Sequence, residues 1–170
     1  TSNTTNYYAS FGFSEREGLM KANPDEMKKY NVTFDLNTQV TDWLKAGTRF
    51  NWSRREYTRP YFWLNPYQYL WRWGSFFGPY GTLDGHDFRA LSEIKQAGPR
   101  TRTQDQTQMT AYLKADIIKG LSLNADFTYQ VRNIGEKYAD YTVYGYGWGS
   151  VNPGYIVGPS STTAVREAEK

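Results

Sequence analysis

Five stretches of the chain alternate apolar and polar residues at period two, and this pattern constrains the fold more than any other feature. Over residues 30–40, Tyr30, Val32, Phe34, Leu36 and Val40 fall on one face, and Asn31, Thr33, Asp35, Asn37 and Gln39 on the other. Residues 121–132 repeat the split, with Leu121, Leu123, Ala125, Phe127, Tyr129 and Val131 opposing Ser122, Asn124, Asp126, Thr128, Gln130 and Arg132. Residues 7–14, 44–53 and 109–117 phase the same way, their apolar faces carrying Phe11 and Phe13, Phe50 and Trp52, and Leu113 and Ile117. Successive side chains of a strand point to opposite faces, so each stretch is expected to be a strand with one apolar and one polar face.

Each stretch is close to the roughly 9–11 residues that a tilted strand needs to cross a bilayer. The charged residues of the stretches lie on the polar face, which is expected to line a watery lumen through Asp35, Asn37, Arg49, Asn51, Lys114, Asp116, Asp126 and Arg132. A soluble antiparallel sandwich satisfies the alternation equally well, with a second sheet in the place of lipid. The connections favour the barrel. Residues 41–43 and 118–120 make tight hairpins, whereas residues 15–29, 54–108 and those after 133 make long links at the opposite ends. Short turns on one side and long loops on the other are the pattern of bacterial outer-membrane barrels. The expected fold is therefore all-β, an antiparallel transmembrane β-barrel segment of about five strands with long extracellular loops.

Composition narrows the alternatives. The chain is 39% hydrophobic and has no cysteine. Its mean hydropathy is −0.75, and no apolar run approaches the roughly 18 residues of a transmembrane helix. A β-barrel is the membrane span that tolerates so polar an average. A net charge of +3 with dispersed Lys and Arg gives no nucleic-acid footprint. Five strands cannot close a transmembrane barrel, so other polypeptide is expected to complete it. The chain starts at Thr1 without a signal peptide and ends at Lys170, which suggests an internal piece of a larger protein that ends in a loop without a closing strand. No internal domain boundary is expected within residues 1–170.

Several short runs stand in a characteristic order: Tyr7-Tyr8-Ala9-Ser10, Glu17-Gly18, Tyr30-Asn31, Trp43-Leu44-Lys45-Ala46-Gly47 and Lys119-Gly120-Leu121-Ser122. In that order and spacing, over roughly residues 3–58 and 108–133, the chain resembles consecutive hairpins of the SusC/RagA-like TonB-dependent transporters of Bacteroidetes outer membranes. The resemblance implies a larger barrel in the cell outer membrane, with an N-terminal plug absent from this chain. It also implies a TonB complex contacting other parts of the protein and a SusD-like surface lipoprotein as lid.

The link over residues 54–108 concentrates aromatic residues, including Trp63, Tyr67, Tyr69, Trp71, Trp73, Phe76, Phe77 and Tyr80, among prolines and glycines. Aromatic rings contact the apolar faces of sugars and peptide side chains, so these eight are candidate substrate-binding residues. They serve equally to fold the loop, fill a barrel mouth or pack on a partner. Trp52 and Tyr57 at the strand end, and Trp43 in a short turn, suit interfacial girdles.

No catalytic residue emerges. With His86 as the single histidine and no cysteine, neither a nucleophile triad nor a zinc site can be assembled, and no cofactor or metal is expected. Asp84-Gly85-His86-Asp87 reads as a polar turn more readily than as a cation loop. The function expected is a barrel-wall segment of a transporter importing a bulky nutrient, an oligosaccharide or a peptide. A soluble carbohydrate-binding β-sandwich and a passive porin are the alternatives.

Overall fold

A computed structural model describes residues 4–61, 85–87, 90–146, 155–157 and 162–168. The strands are β1 (Thr5–Glu17), β2 (Glu26–Thr41), β3 (Leu44–Pro60), β4 (Pro99–Ile118), β5 (Leu121–Asp140), β6 (Val143–Gly145), β7 (Tyr155–Val157) and β8 (Thr162–Ala168), with one short helix, α1 (Ala90–Gln96), before β4. Six strands form one antiparallel sheet in the order β1-β2-β3-β4-β5-β8, and β6 pairs with β7 in a separate ribbon. The sheet is a meander of sequential neighbours from β1 to β5, and it does not close on itself.

All five alternating stretches are strands, and each outruns its apolar alternation at the long-loop end. Residues 15–17, 26–29, 54–60, 99–108 and 133–140, expected in the links, continue the ladders. Cross-strand side-chain pairs hold these extensions where apolar residues give out. Arg54 forks onto Asp105 through Nε–Oδ1 at 2.7 Å and Nη2–Oδ2 at 3.0 Å, and the Thr58 and Thr101 hydroxyls meet at 3.0 Å. A second correction concerns the tail. Residues 162–168, expected in a loop, pair with Ile134–Asp140 of β5 as a sixth strand.

The two tight hairpins turn at Asp42-Trp43 and Lys119-Gly120. Gly120 has φ +88°, a left-handed conformation that a residue with a side chain adopts at a cost. One register shift precedes each turn, between Gln39 and Thr41 and between Asp116 and Ile118. No shift interrupts the remainder of the β1–β5 ladders, so each face keeps one parity over the whole strand length.

The sheet has almost no core of its own. Among the described residues the buried side chains are few: Pro60 at the end of β3, and Ile94, Val143, Ser92 and Glu93, clustered where α1 meets β6. The apolar face is bare, with Tyr7 78%, Phe11 69% and Phe127 69% exposed, and no described element lies across it. The chain exposes 12321 Å², against about 8,600 Å² for a compact monomer of its mass. A two-layer domain normally covers such a face with another element.

Candidate functional site

The polar face is the side of the sheet with organised chemistry. Its eight expected residues, Asp35, Asn37, Arg49, Asn51, Lys114, Asp116, Asp126 and Arg132, share this face by register. Some are in contact. Arg49 on β3 meets Asp35 directly across the ladder, with Nε and Nη2 both 2.8 Å from Oδ2, and the Asn37 amide donates to the other carboxylate oxygen at 2.8 Å. Thr33 donates to Asn51 Oδ1 at 3.1 Å. Lys114, Asp116, Asp126 and Arg132 stand apart from that network.

Tyr112 crosses the same face to lie on Gly47, its ladder partner. A Cβ on Gly47 would overlap Tyr112 Cζ and fall 2.7 Å from Cε2, so the ring occupies the space a side chain would take. Lys45, Lys114, Asn124 and Asp126 frame the adjoining depression of about 530 Å³ at the short-turn end.

A second cluster, not anticipated, assembles at the long-loop end. Gln96 on α1 pairs with the backbone of Tyr144 on β6 in both directions: Nε2 donates to the carbonyl at 2.9 Å, and Oε1 accepts from the amide at 3.0 Å. Ser92 donates to the same carbonyl at 2.7 Å. Asn23, in the β1–β2 connection, has φ +54° and donates to the carbonyls of Ile94 and Ala97 at 2.9 and 3.1 Å, closing the C-terminal end of α1. Tyr57 donates to Asp25 at 2.8 Å, Tyr61 stacks on Tyr138 at 4.9 Å, and His86 stacks on Tyr146 at 4.1 Å. These contacts tie three connections to the sheet. The sequence signal for α1 was Leu91 and Ile94 at helical spacing, with Glu93 early and Lys95 late.

Electrostatics at this end centre on Glu136. Arg100 holds it through Nε and Nη2, each 2.8 Å from Oε1, and this hydrogen bond keeps the carboxyl below its ordinary range, with Arg102 and Arg59 adding to the effect. Burial instead pushes the Glu93 carboxyl up. Lys28 bridges Glu26 at 2.6 Å and Glu15 at 3.5 Å on the opposite face, and the Lys28 hydrogen bond lowers Glu26.

The eight aromatic candidates, Trp63, Tyr67, Tyr69, Trp71, Trp73, Phe76, Phe77 and Tyr80, lie outside the described residues. Among the described residues no group of three or more His, Cys, Asp and Glu side chains is placed to hold a metal ion. No described helix is long and apolar enough to cross a membrane, which leaves crossing by strands open. No family model matches the chain, and neither the curated proteins nor the solved structures contain a match.

Proposed function

We propose that this chain is a stretch of the wall of an outer-membrane β-barrel transporter of the SusC-like, TonB-dependent kind, importing a bulky oligosaccharide or peptide. The observation that carries the reading is an uncovered apolar face of membrane height backed by a polar one. At about 3.4 Å per residue and a tilt near 40°, the run from Leu121 to Val131 rises about 26 Å, against the roughly 25 Å apolar band of such barrels. Immediately beyond the Phe11-Val32-Trp52-Val131 level the same face becomes charged, beginning with Arg54 and Asp105. Tyr30, Trp52 and Tyr129 stand at that boundary, and Trp43 at the other end, as interfacial aromatics do.

The remaining strand length projects past the bilayer on the long-loop side, where the α1–β6 cluster ties the loops to the wall. The edges at β1 and at the Leu121–Val131 part of β5 are open in lipid until further strands of the barrel pair with them. In operation the wall encloses the path, and the loops and a SusD-like lipoprotein capture the cargo. A TonB complex acting on a plug outside this chain supplies the work.

The test is purification of the native polypeptide from outer membranes in detergent, with its intact mass and its bound partners identified by peptide sequencing. A chain several times heavier than 19.7 kDa, bound to a surface lipoprotein, is the expected result. A soluble protein of that mass without partners overturns the proposal.

A further inference from the structure

The long-loop half of the sheet is richer in cations on its polar face than on its apolar face. On the apolar side, beyond the band, acids and bases mix: Lys28 bridges Glu15 and Glu26 and stands across from Glu56, Arg54 forks onto Asp105, and Glu17 stands across from Glu26. On the polar side like charges stand directly opposite, Lys29 against Arg55 and Arg59 against Arg100. Cross-strand like-charge pairs destabilise a sheet, so folding alone does not favour these two cation pairs.

The polar side here carries Arg16, Lys29, Arg55, Arg59, Arg102 and Arg132, and among the described residues none of the six is in an ion pair. Arg100 is held by Glu136, which also stands across the ladder from Arg102. Arg102 pairs with Tyr57 in the ladder, between Arg55 and Arg59, so three guanidinium groups surround one tyrosine position. With strands about 4.8 Å apart and same-face residues about 6.8 Å apart, neighbouring cations are spaced at roughly 5–14 Å. Arg outnumbers Lys, and its planar fork matches oxyanions in a way an ammonium does not.

We propose that this surface is the recognition site for an acidic oligosaccharide, whose carboxylate or sulfate groups are taken by the unpaired arginines while its sugar rings lie against Tyr57 and Tyr138. The proposal rests on the transporter reading and narrows its cargo. A pyranose presents a C–H face to an aromatic ring beside each acid group, and Tyr57 and Tyr138 share this face with the arginines. An acidic peptide carries the charge without that apolar ring face.

The probes are a hexamer of galacturonic acid, its fully methyl-esterified form and a hexaglutamate peptide, titrated against the full-length protein with its lipoprotein in detergent. The acid hexamer is expected to bind at least 10-fold more tightly than the ester or the peptide. Arg55→Gln with Arg102→Gln is expected to weaken the acid hexamer at least 10-fold and the ester less than 2-fold. Equal binding of acid and ester, absence of acid-hexamer binding, tighter binding of the peptide, or indifference of the acid hexamer to the double variant overturns the proposal.

A second readout measures the field without any sugar. Thiol modification of Gln104→Cys, on the polar face, should run several-fold faster with an anionic than with a cationic methanethiosulfonate, and that preference should vanish at Thr103→Cys on the other face. Loss of the preference at residue 104 contradicts the proposal, whereas a soluble native protein would instead sink the transporter reading beneath it.

Discussion

Replacing one residue on the bare face with arginine should cost stability according to its height on the sheet. Ala111 pairs with Phe127, about 16 Å above the level of Leu121 at roughly 2.6 Å of vertical rise per residue, and so lies about 3 Å from the middle of a 26 Å band. If the sheet is a barrel wall as proposed, Ala111→Arg should therefore destabilise it by about 2–4 kcal/mol, the cost of a midplane cation on a lipid-facing strand position. Ala115 pairs with Leu123, about 5 Å above that edge, and its substitution should cost about 1 kcal/mol or less. Thr103 pairs with Gly135, about 10 Å past the upper edge, and Gln108 faces the other side beside Asn51. Arginine at either position should cost close to nothing. The assay is guanidinium chloride unfolding of the full-length protein reconstituted in phosphatidylcholine vesicles, with the heat-induced gel-mobility shift as second readout. Equal, small effects at residues 111, 115 and 103 would refute the reasoning, since a water-exposed face has no depth.

Three further outcomes follow from particular contacts. Gly47→Ala forces the Tyr112 ring off its rotamer and should cost about 1–2 kcal/mol; in a Tyr112→Ala background the same change should be nearly free, and additive losses in the double-mutant cycle would be the contrary result. Asn23→Ala removes two donors from the end of α1 and places a β-carbon residue without a compensating amide at φ +54°, so amide exchange over residues 90–97 should accelerate by about 10-fold or more, with Asn23→Gly intermediate. Glu136 has a depressed folded pKa, so its stabilising pairing with Arg100 is present above the ordinary carboxylate value and lost as pH falls through the folded value. Amide protection factors at the long-loop end of β4 and β5, taken relative to intrinsic exchange at each pH, should therefore fall on acidification, and Glu136→Gln should show the lowered protection already at neutral pH.

The sheet was legible in the sequence wherever one face is apolar, because period-two alternation fixes both the strand and its register. Tyr30 to Val40 and Leu121 to Val131 carry their parity in side-chain chemistry alone, and the tight turns at Asp42-Trp43 and Lys119-Gly120 follow from the short gaps. The extensions were not legible. From Arg54 to Pro60 and from Pro99 to Gln108 both faces are polar, so no periodicity distinguishes a strand from a loop. Those segments stay paired through contacts between residues about fifty positions apart, such as Arg54 with Asp105, which no local window contains. The β8 pairing with β5 has the same cause, since the short run Thr162–Ala168 alternates weakly. The α1–β6 cluster depends on Gln96 and Asn23 serving distant backbone groups, and neither residue type announces its partner. The basic half of the polar face becomes visible only once register shows that Lys29 meets Arg55 and Arg59 meets Arg100, because along the chain these residues are scattered among acids.

The central claim is that odd-numbered residues of β5 face lipid and even-numbered ones face water. The most direct test places nitroxide labels on single cysteines at residues 123 to 130 of the full-length protein in native outer membranes, in a segment that has no cysteine of its own. Collision rates with oxygen, which concentrates in the bilayer, and with a water-soluble nickel chelate should alternate out of phase at period two, with oxygen highest at 125 and 127. Uniform access of the nickel chelate to both sets of positions would contradict the account.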